Sequence, residues 1–167
     1  MKSLFLTIVG AIFCVMMSEA QVTADANPGN ANTLKVYHAI ETGDMSNLDQ
    51  IIDANIVDHT SHGDVTGLDA VKNMFMQMHD HIDNLSMKSI AAASDGDYHF
   101  SLARITGNTN SEFMGMPANT PIDVTNVDVV RIKNGKAVEH WEYIGPKEAM
   151  DMMNMHHEMP MDSTKTQ

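Results

Sequence analysis

Only one cysteine, Cys14, occurs in the 167 residues, and it lies near the amino terminus. The rest of the chain can therefore form no internal disulfide, and it offers no thiol for catalysis or for zinc ligation of the usual kind. Basic residues are also scarce: 10 lysines and arginines face 22 aspartates and glutamates, a formal net charge of −12. Nucleic-acid and anionic-membrane binding normally leave a basic footprint, and this balance argues against both. Tryptophan is represented by Trp141 alone. No internal repeat divides the chain.

Nor is there an apolar run long enough to span a membrane. The opening MKSLFLTIVGAIFCVMMSEA has Lys2 ahead of an apolar stretch of roughly 14 residues, short of the ~20 a spanning helix needs. Ser18-Glu19-Ala20 follows as a small-x-small cleavage site, the pattern of a secretory signal. Residues 1–20 are read as a signal peptide, and bulky Phe13 before Cys14 argues against a lipid anchor. Lys2 and Glu19 cancel, so the charge of −12 survives cleavage. The expected location is export to the periplasm or the exterior, without membrane attachment.

The remaining chain divides into a disordered lead at 21–32, one domain at 33–153 and a flexible tail at 154–167. The lead is small and polar with one proline. In the domain, Leu34, Tyr37 and Ile40 recur at helical spacing up to Gly43, and Ser46 or Asn47 can cap a short helix through Ile52. Asn55 to His62 is expected to be extended. Leu68, Val71, Phe75, Met78, Ile82 and Leu85 then mark the longest helical stripe. Beyond it the period falls to two. Leu85 to Ala93 and Tyr98 to Thr106 read as strands joined at Asp95-Gly96-Asp97, and Asn108 to Pro121 as a loop carrying Phe113, Met114 and Met116. Pro146 opens a short final helix. Helices first and strands later predict an α+β fold, a curved antiparallel sheet with helices packed on one face.

The most informative stretch is Thr125 to Ile144, two β-rich runs around Lys133-Asn134-Gly135. A two-residue Asn-Gly loop would pair Lys133 with Lys136; a three-residue loop ending in a bulge is expected instead, pairing Ile132 with Lys136, Asp128 with His140, and Asn126 with Glu142. Asn126, Asp128, Val130 and Ile132 would then share a face with Val138, His140 and Glu142. The opposite face carries Val127, Val129, Trp141 and Tyr143, an apolar surface that predicts a homodimer.

A carboxylate facing an apolar pocket loses hydration, and its pKa rises towards neutrality, where it can exchange protons with a carbon acid. Glu142, Asp128 and His140 fit that role as catalytic candidates. They can equally pair with one another, or with Arg104 or Arg131, as a structural network. His59, Asn126, Tyr98, Phe113 and Met116 are the expected ligand-binding residues, with Asp58 and His62 near them; His62, beside Gly63, also fits an exposed loop. Met155, His156, His157 and Met159 combine thioethers with imidazoles, a donor set that suits copper in the tail, while the same residues also make a flexible helix end.

In these residues the sequence resembles the SnoaL-like polyketide cyclase and ester cyclase group of the nuclear-transport-factor-two-like superfamily. The segments that carry the likeness are Thr42-Gly43-Asp44, Asp58-His59, Gly67, Gly96-Asp97, Phe113-x-Gly115-x-Pro117, Val130-Arg131-Ile132 and Gly135-Lys136-x-Val138-Glu139-His140-Trp141. The resemblance implies a curved antiparallel sheet wrapped around amino-terminal helices as a cone with a deep apolar pocket, and acid/base chemistry without metal or organic cofactor on a small apolar carbonyl compound. It places the general acid/base at Glu142, where relatives often have Asp. A Gly-Thr-His segment common in the group is Gly107-Asn108-Thr109 here. Binding without catalysis, as a carrier or an interaction domain, is the other reading of the same pocket.

Overall fold

The structure is a computed structural model that describes residues 28–61 and 63–150. Helix α1 (Pro28–Thr42) comes first, then a single 3-10 turn (Leu48–Gln50), strands β1 (Ile52–Thr60) and β2 (Gly63–Thr66), and helix α2 (Leu68–His81). Four long strands complete it: β3 (Ile82–Asp95), β4 (Tyr98–Thr109), β5 (Pro121–Lys133) and β6 (Lys136–Ile144). A further helix starts at 146. The six strands form one sheet in the order β2-β1-β6-β5-β4-β3, with β1 and β6 parallel and every other pair antiparallel. The expected α+β architecture is present, and the parallel pair qualifies the expectation of a purely antiparallel sheet.

Both helices depart from the hydrophobic stripes that suggested them. α1 begins at Pro28, a residue suited to the first helical turn, and so takes in residues 28–32 of the segment read as a disordered lead. Its buried face is Asn30, Thr33, Tyr37 and Ile40, whereas Leu34 is 42% exposed. Polar residues on the buried face hid that half of the helix from an apolar-spacing argument. In α2, Val71 and Phe75 are buried, but the helix stops at His81 and β3 starts at Ile82. Ile82 and Leu85 therefore belong to a strand. Ile82 is 5% exposed and pairs with Thr109, so it enters the core from a ladder instead of a helical turn. Ile82 is already extended, with φ −125° and ψ 109°, and Asn84, at a φ of 54°, lies where the β3–β4 register shifts between Asp83 and Ser86. The short helix expected at 46–52 is only the 3-10 turn, and Asn47 makes no side-chain cap at its start.

A core that includes Ile40, Leu48, Ile51, Ile52, Ile56, Val71 and Phe75 joins α1, the 3-10 turn, α2 and β1. Close approach is required at Gly107, where a Cβ would lie 2.5 Å from the Ile82 side chain. Along β4, His99, Ser101, Ala103 and Ile105 are buried while Tyr98, Phe100 and Arg104 face outward. The alternation is that of a half-buried strand, but the inward set includes His99 and Ser101 while Tyr98 and Phe100 point out.

The β5–β6 hairpin corrects the expected register. Asn134-Gly135 forms a two-residue turn with both residues at positive φ, and Lys133 pairs with Lys136. The pairing then shifts between Arg131 and Ile132, so that Ile132 faces Ala137, Arg131 faces Glu139, and Val138 is the extra residue. Asp128 consequently sits opposite Glu142, and Val130 opposite His140. A turn one residue shorter combined with one extra residue in β6 moves each partner by two positions. Because side chains alternate with a period of two, Asn126, Asp128, His140 and Glu142 still share one face. Val138 does not join them. It lies on the outer surface with Arg131 and Glu139.

Candidate active site

The inner face of β1, β5 and β6, the buried sides of α1 and α2 and the loop before β5 enclose a cavity of about 520 Å³. Most of its wall is aliphatic, thioether or aromatic, including Ile40, Val71, Met74, Phe75, Phe113 and Met116. Its polar groups are concentrated around Tyr37, Asp58, Asn126, Asp128, His140 and Glu142. Such a wall, apolar with a few convergent polar groups, is the usual form of a small-molecule site.

The polar cluster is one connected network. Asp128, only 6% exposed, accepts from the Tyr37 hydroxyl and from Asn126 Nδ2 at 2.8 Å, and His140 Nε2 lies 3.5 Å away. Asn126 Nδ2 also donates to Glu142 Oε1 at 3.0 Å. His140 Nδ1 and Asp58 Oδ1 are 2.9 Å apart, across the parallel pairing that puts these two residues side by side. Behind Tyr37, Ser101 Oγ lies 3.4 Å from its hydroxyl and 3.3 Å from Ser89 Oγ. The diagonal contacts Asp128–His140 and Asn126–Glu142 survive the corrected register because long side chains span adjacent ladder positions on one face.

These contacts set the protonation states. Burial opposes a charge on His140, but the hydrogen bonds and charges of Asp128 and Asp58 outweigh it and push its pKa up to about 10. His140 is thus an imidazolium clamped between two carboxylates, with both nitrogens engaged. Burial and the Asp128 charge raise Tyr37, which stays a phenol that donates. Glu142 is also raised, first by burial and then by repulsion from Asp128, with His140 and Asn126 acting against the rise. Its side chain is exposed by surface area yet walled by protein, as expected for a group that opens onto a cavity. Of the three carboxylates, Glu142 combines access to the cavity with a weakened preference for the charged form.

The remaining expected residues divide between the two faces. Asn126, Phe113 and Met116 line the cavity. Tyr98 does not: it is 41% exposed on the outer surface, its ring 6.3 Å from that of Trp141. Its place in an alternating strand was legible, but which set faced inward was not. His59 touches the cavity edge, but its ring stacks on Trp141 with centroids 4.8 Å apart and Nδ1 lies 2.9 Å from Asp64 Oδ1. Arg104 and Arg131, the alternative partners for the cluster, are bound elsewhere, to Asp123 and Glu139. Tyr37 and Asp58 were missing from the expected catalytic set. By spacing Tyr37 reads as an apolar helical position, and the one signal to the contrary is its place on the same helix face as polar Asn30 and Thr33. His62 and the proposed copper ligands Met155, His156, His157 and Met159 lie outside the described residues. Among the described residues, no group of three or more His, Cys, Asp or Glu side chains is arranged to hold a metal ion.

The sequence profile of SnoaL-like polyketide cyclases matches residues 31–151. Solved structures share the fold at low identity. A protein assigned as a SnoaL-like polyketide cyclase from Jannaschia sp. CCS1 superposes with a TM-score of 0.67 at 16% identity, over 80% of this chain and 94% of its own. A SnoaL-like polyketide cyclase from Agrobacterium tumefaciens gives 0.64 at 16%, over 75% and 97%. TsrD from Streptomyces laurentii gives 0.63 at 17%, over 76% and 93%. No curated protein matches the sequence significantly.

Proposed function

This chain belongs to the SnoaL-like polyketide cyclase family, and from that premise we propose that it is an exported protein that binds a small, largely apolar carbonyl compound and moves a proton on it. Glu142 is the general base and takes a proton from the carbon beside the carbonyl. Asp128, Asn126 and His140 fix the position of Glu142 and set its basicity, and the apolar wall holds the hydrocarbon body of the substrate. No step requires a metal or an organic cofactor. The observation that carries this reading is the position of Glu142, a carboxylate raised above its ordinary pKa that opens onto the cavity. Export rests on the signal-like residues 1–20.

The test is hydrogen–deuterium exchange at the carbon next to the carbonyl, followed by proton NMR for a set of cyclic and aryl ketones in D₂O. The wild-type protein is expected to accelerate exchange of at least one, and Glu142→Gln to lose about 10²- to 10⁴-fold in rate, the usual cost of removing a general base. A ketone shown to occupy the cavity with no exchange above background would replace this reading with that of a carrier.

A further inference from the structure

No lysine or arginine lines the cavity among the described residues, so its field is set by Asp58, Asp128 and Glu142 against the His140 imidazolium. Asp58 and Asp128 share His140, and Asp128 has Tyr37 and Asn126 as well. Glu142 is served far less. Its Oε1 accepts from Asn126 Nδ2 at 3.0 Å, from the same nitrogen that serves Asp128 at 2.8 Å, and its other oxygen has no hydrogen bond among the described residues. Asn126 is 2% exposed and its Oδ1 has no donor among the described residues. The unmet need at this end of the cavity is for donors and positive charge.

The same inventory bears on the reaction. Removing a proton from a neutral ketone sends the electron pair of the C–H bond to the carbonyl oxygen and makes an anion. Here that anion would face carboxylates, and beside Glu142 the donors of the cluster are already committed among the described residues: the Tyr37 hydroxyl to Asp128, and the two His140 nitrogens to Asp58 and Asp128. An ammonium group on the substrate changes this balance. The C–H bond still breaks, its proton passes to Glu142 and its electrons reach the carbonyl oxygen, but the product is a zwitterion without net charge. The adjacent cation also acidifies the C–H bond and relieves the repulsion between Asp128 and Glu142.

We infer that the compound bound here carries a basic nitrogen, protonated when bound and placed at the Glu142 end of the cavity. This rests on the proposed function, because it takes the cavity to be the ligand site. Three probes of equal heavy-atom count separate the two ideas: N,N-dimethylcyclohexylamine as the cation, cyclohexyl methyl ketone as the neutral shape, and cyclohexanecarboxylate as the anion. Affinities for the full chain are read by ligand-observed NMR at pH 7 in 0.15 M salt, which screens non-specific attraction to an acidic protein. The amine is expected to bind at least tenfold more tightly than the ketone, and the carboxylate most weakly. In Glu142→Gln the advantage of the amine over the ketone, measured on the same variant, should fall to about threefold or less, a loss of about 1.4 kcal/mol for each tenfold. A ketone that binds as tightly as the amine overturns the inference and leaves the proposed function standing. An amine preference undiminished in Glu142→Gln also overturns it, because the cation would then be held elsewhere. Failure of all three probes to bind overturns both.

Discussion

His140 and Asp58 are partners in the parallel β1–β6 pairing and are also joined side chain to side chain, Nδ1 to Oδ1, at 2.9 Å. The contact closes β1 onto the end of the sheet that carries Glu142, and so it ties the wall of the cavity to its reactive residue. Because Asp128 holds the other nitrogen of His140, the imidazolium bridges β1 and β5 through β6. Its charge state should govern both stability and site geometry.

His140 titrates at about 6.5 when unfolded and about 10 when folded. A group whose folded pKa is raised stabilises the fold fully below the unfolded value and loses that contribution as pH rises through the folded one. The urea midpoint is therefore expected to fall between pH 7 and pH 10, and His140→Gln should flatten the fall while lowering the midpoint at pH 6. A midpoint unchanged across this range in the wild type would show that the bridge is not charged.

Glu142 has the same sign and an opposite consequence for function. Its raised carboxyl favours the fold below its unfolded pKa of 4.5 and costs stability as pH rises and the charge forms. Glu142→Gln is thus expected to raise Tm at pH 7, by about 2–4 °C per kcal/mol relieved, while removing activity. The acid limb of kcat/KM should lie above the ordinary carboxylate range, and Asp128→Asn should move it to lower pH, because the Asp128 charge is the main repulsive contribution. Calorimetry and a pH–rate profile measure the two effects independently.

Tyr37 is 4% exposed and donates a hydrogen bond from its hydroxyl to Asp128. Hydrogen bonds to charged groups are worth about 1.5–3 kcal/mol, so Tyr37→Phe should cost that order of stability without creating a cavity. Urea denaturation is the check, and a cost under about 0.5 kcal/mol would mean that Asp128 finds another donor.

On the outer face, Phe100, Val129, Trp141 and His59 lie in register across four strands, with Tyr98 and Tyr143 exposed beside them. We propose that this row is covered in a homodimer. Sedimentation velocity at tens of micromolar should show a dimer, and Phe100→Lys, remote from the cavity, should yield a monomer. A monomeric wild type would leave the row an exposed surface.

Several features could be read directly from the residues because they depend on local chemistry. Asn134-Gly135 announces a hairpin because its positive φ angles suit those two residues. Alternation put Asn126, Asp128, His140 and Glu142 on one face, and that set survived a wrong register because the error was an even number of positions. What the sequence could not provide was the sign of an alternation or the partner of a buried polar group. In β4 it gave two sets of residues, and only packing against α1 decided that His99 and Ser101 go inside and Tyr98 and Phe100 outside. The stripe through Ile82 and Leu85 fits helix and strand alike until pairing with β4 claims it. Tyr37 and Asp58 became part of the site through contacts with Asp128 and His140, which lie 91 and 82 residues along the chain. Pairings at that separation are settled by the closure of the cone, which places α1 and β1 against the β5–β6 hairpin, and no local propensity encodes them.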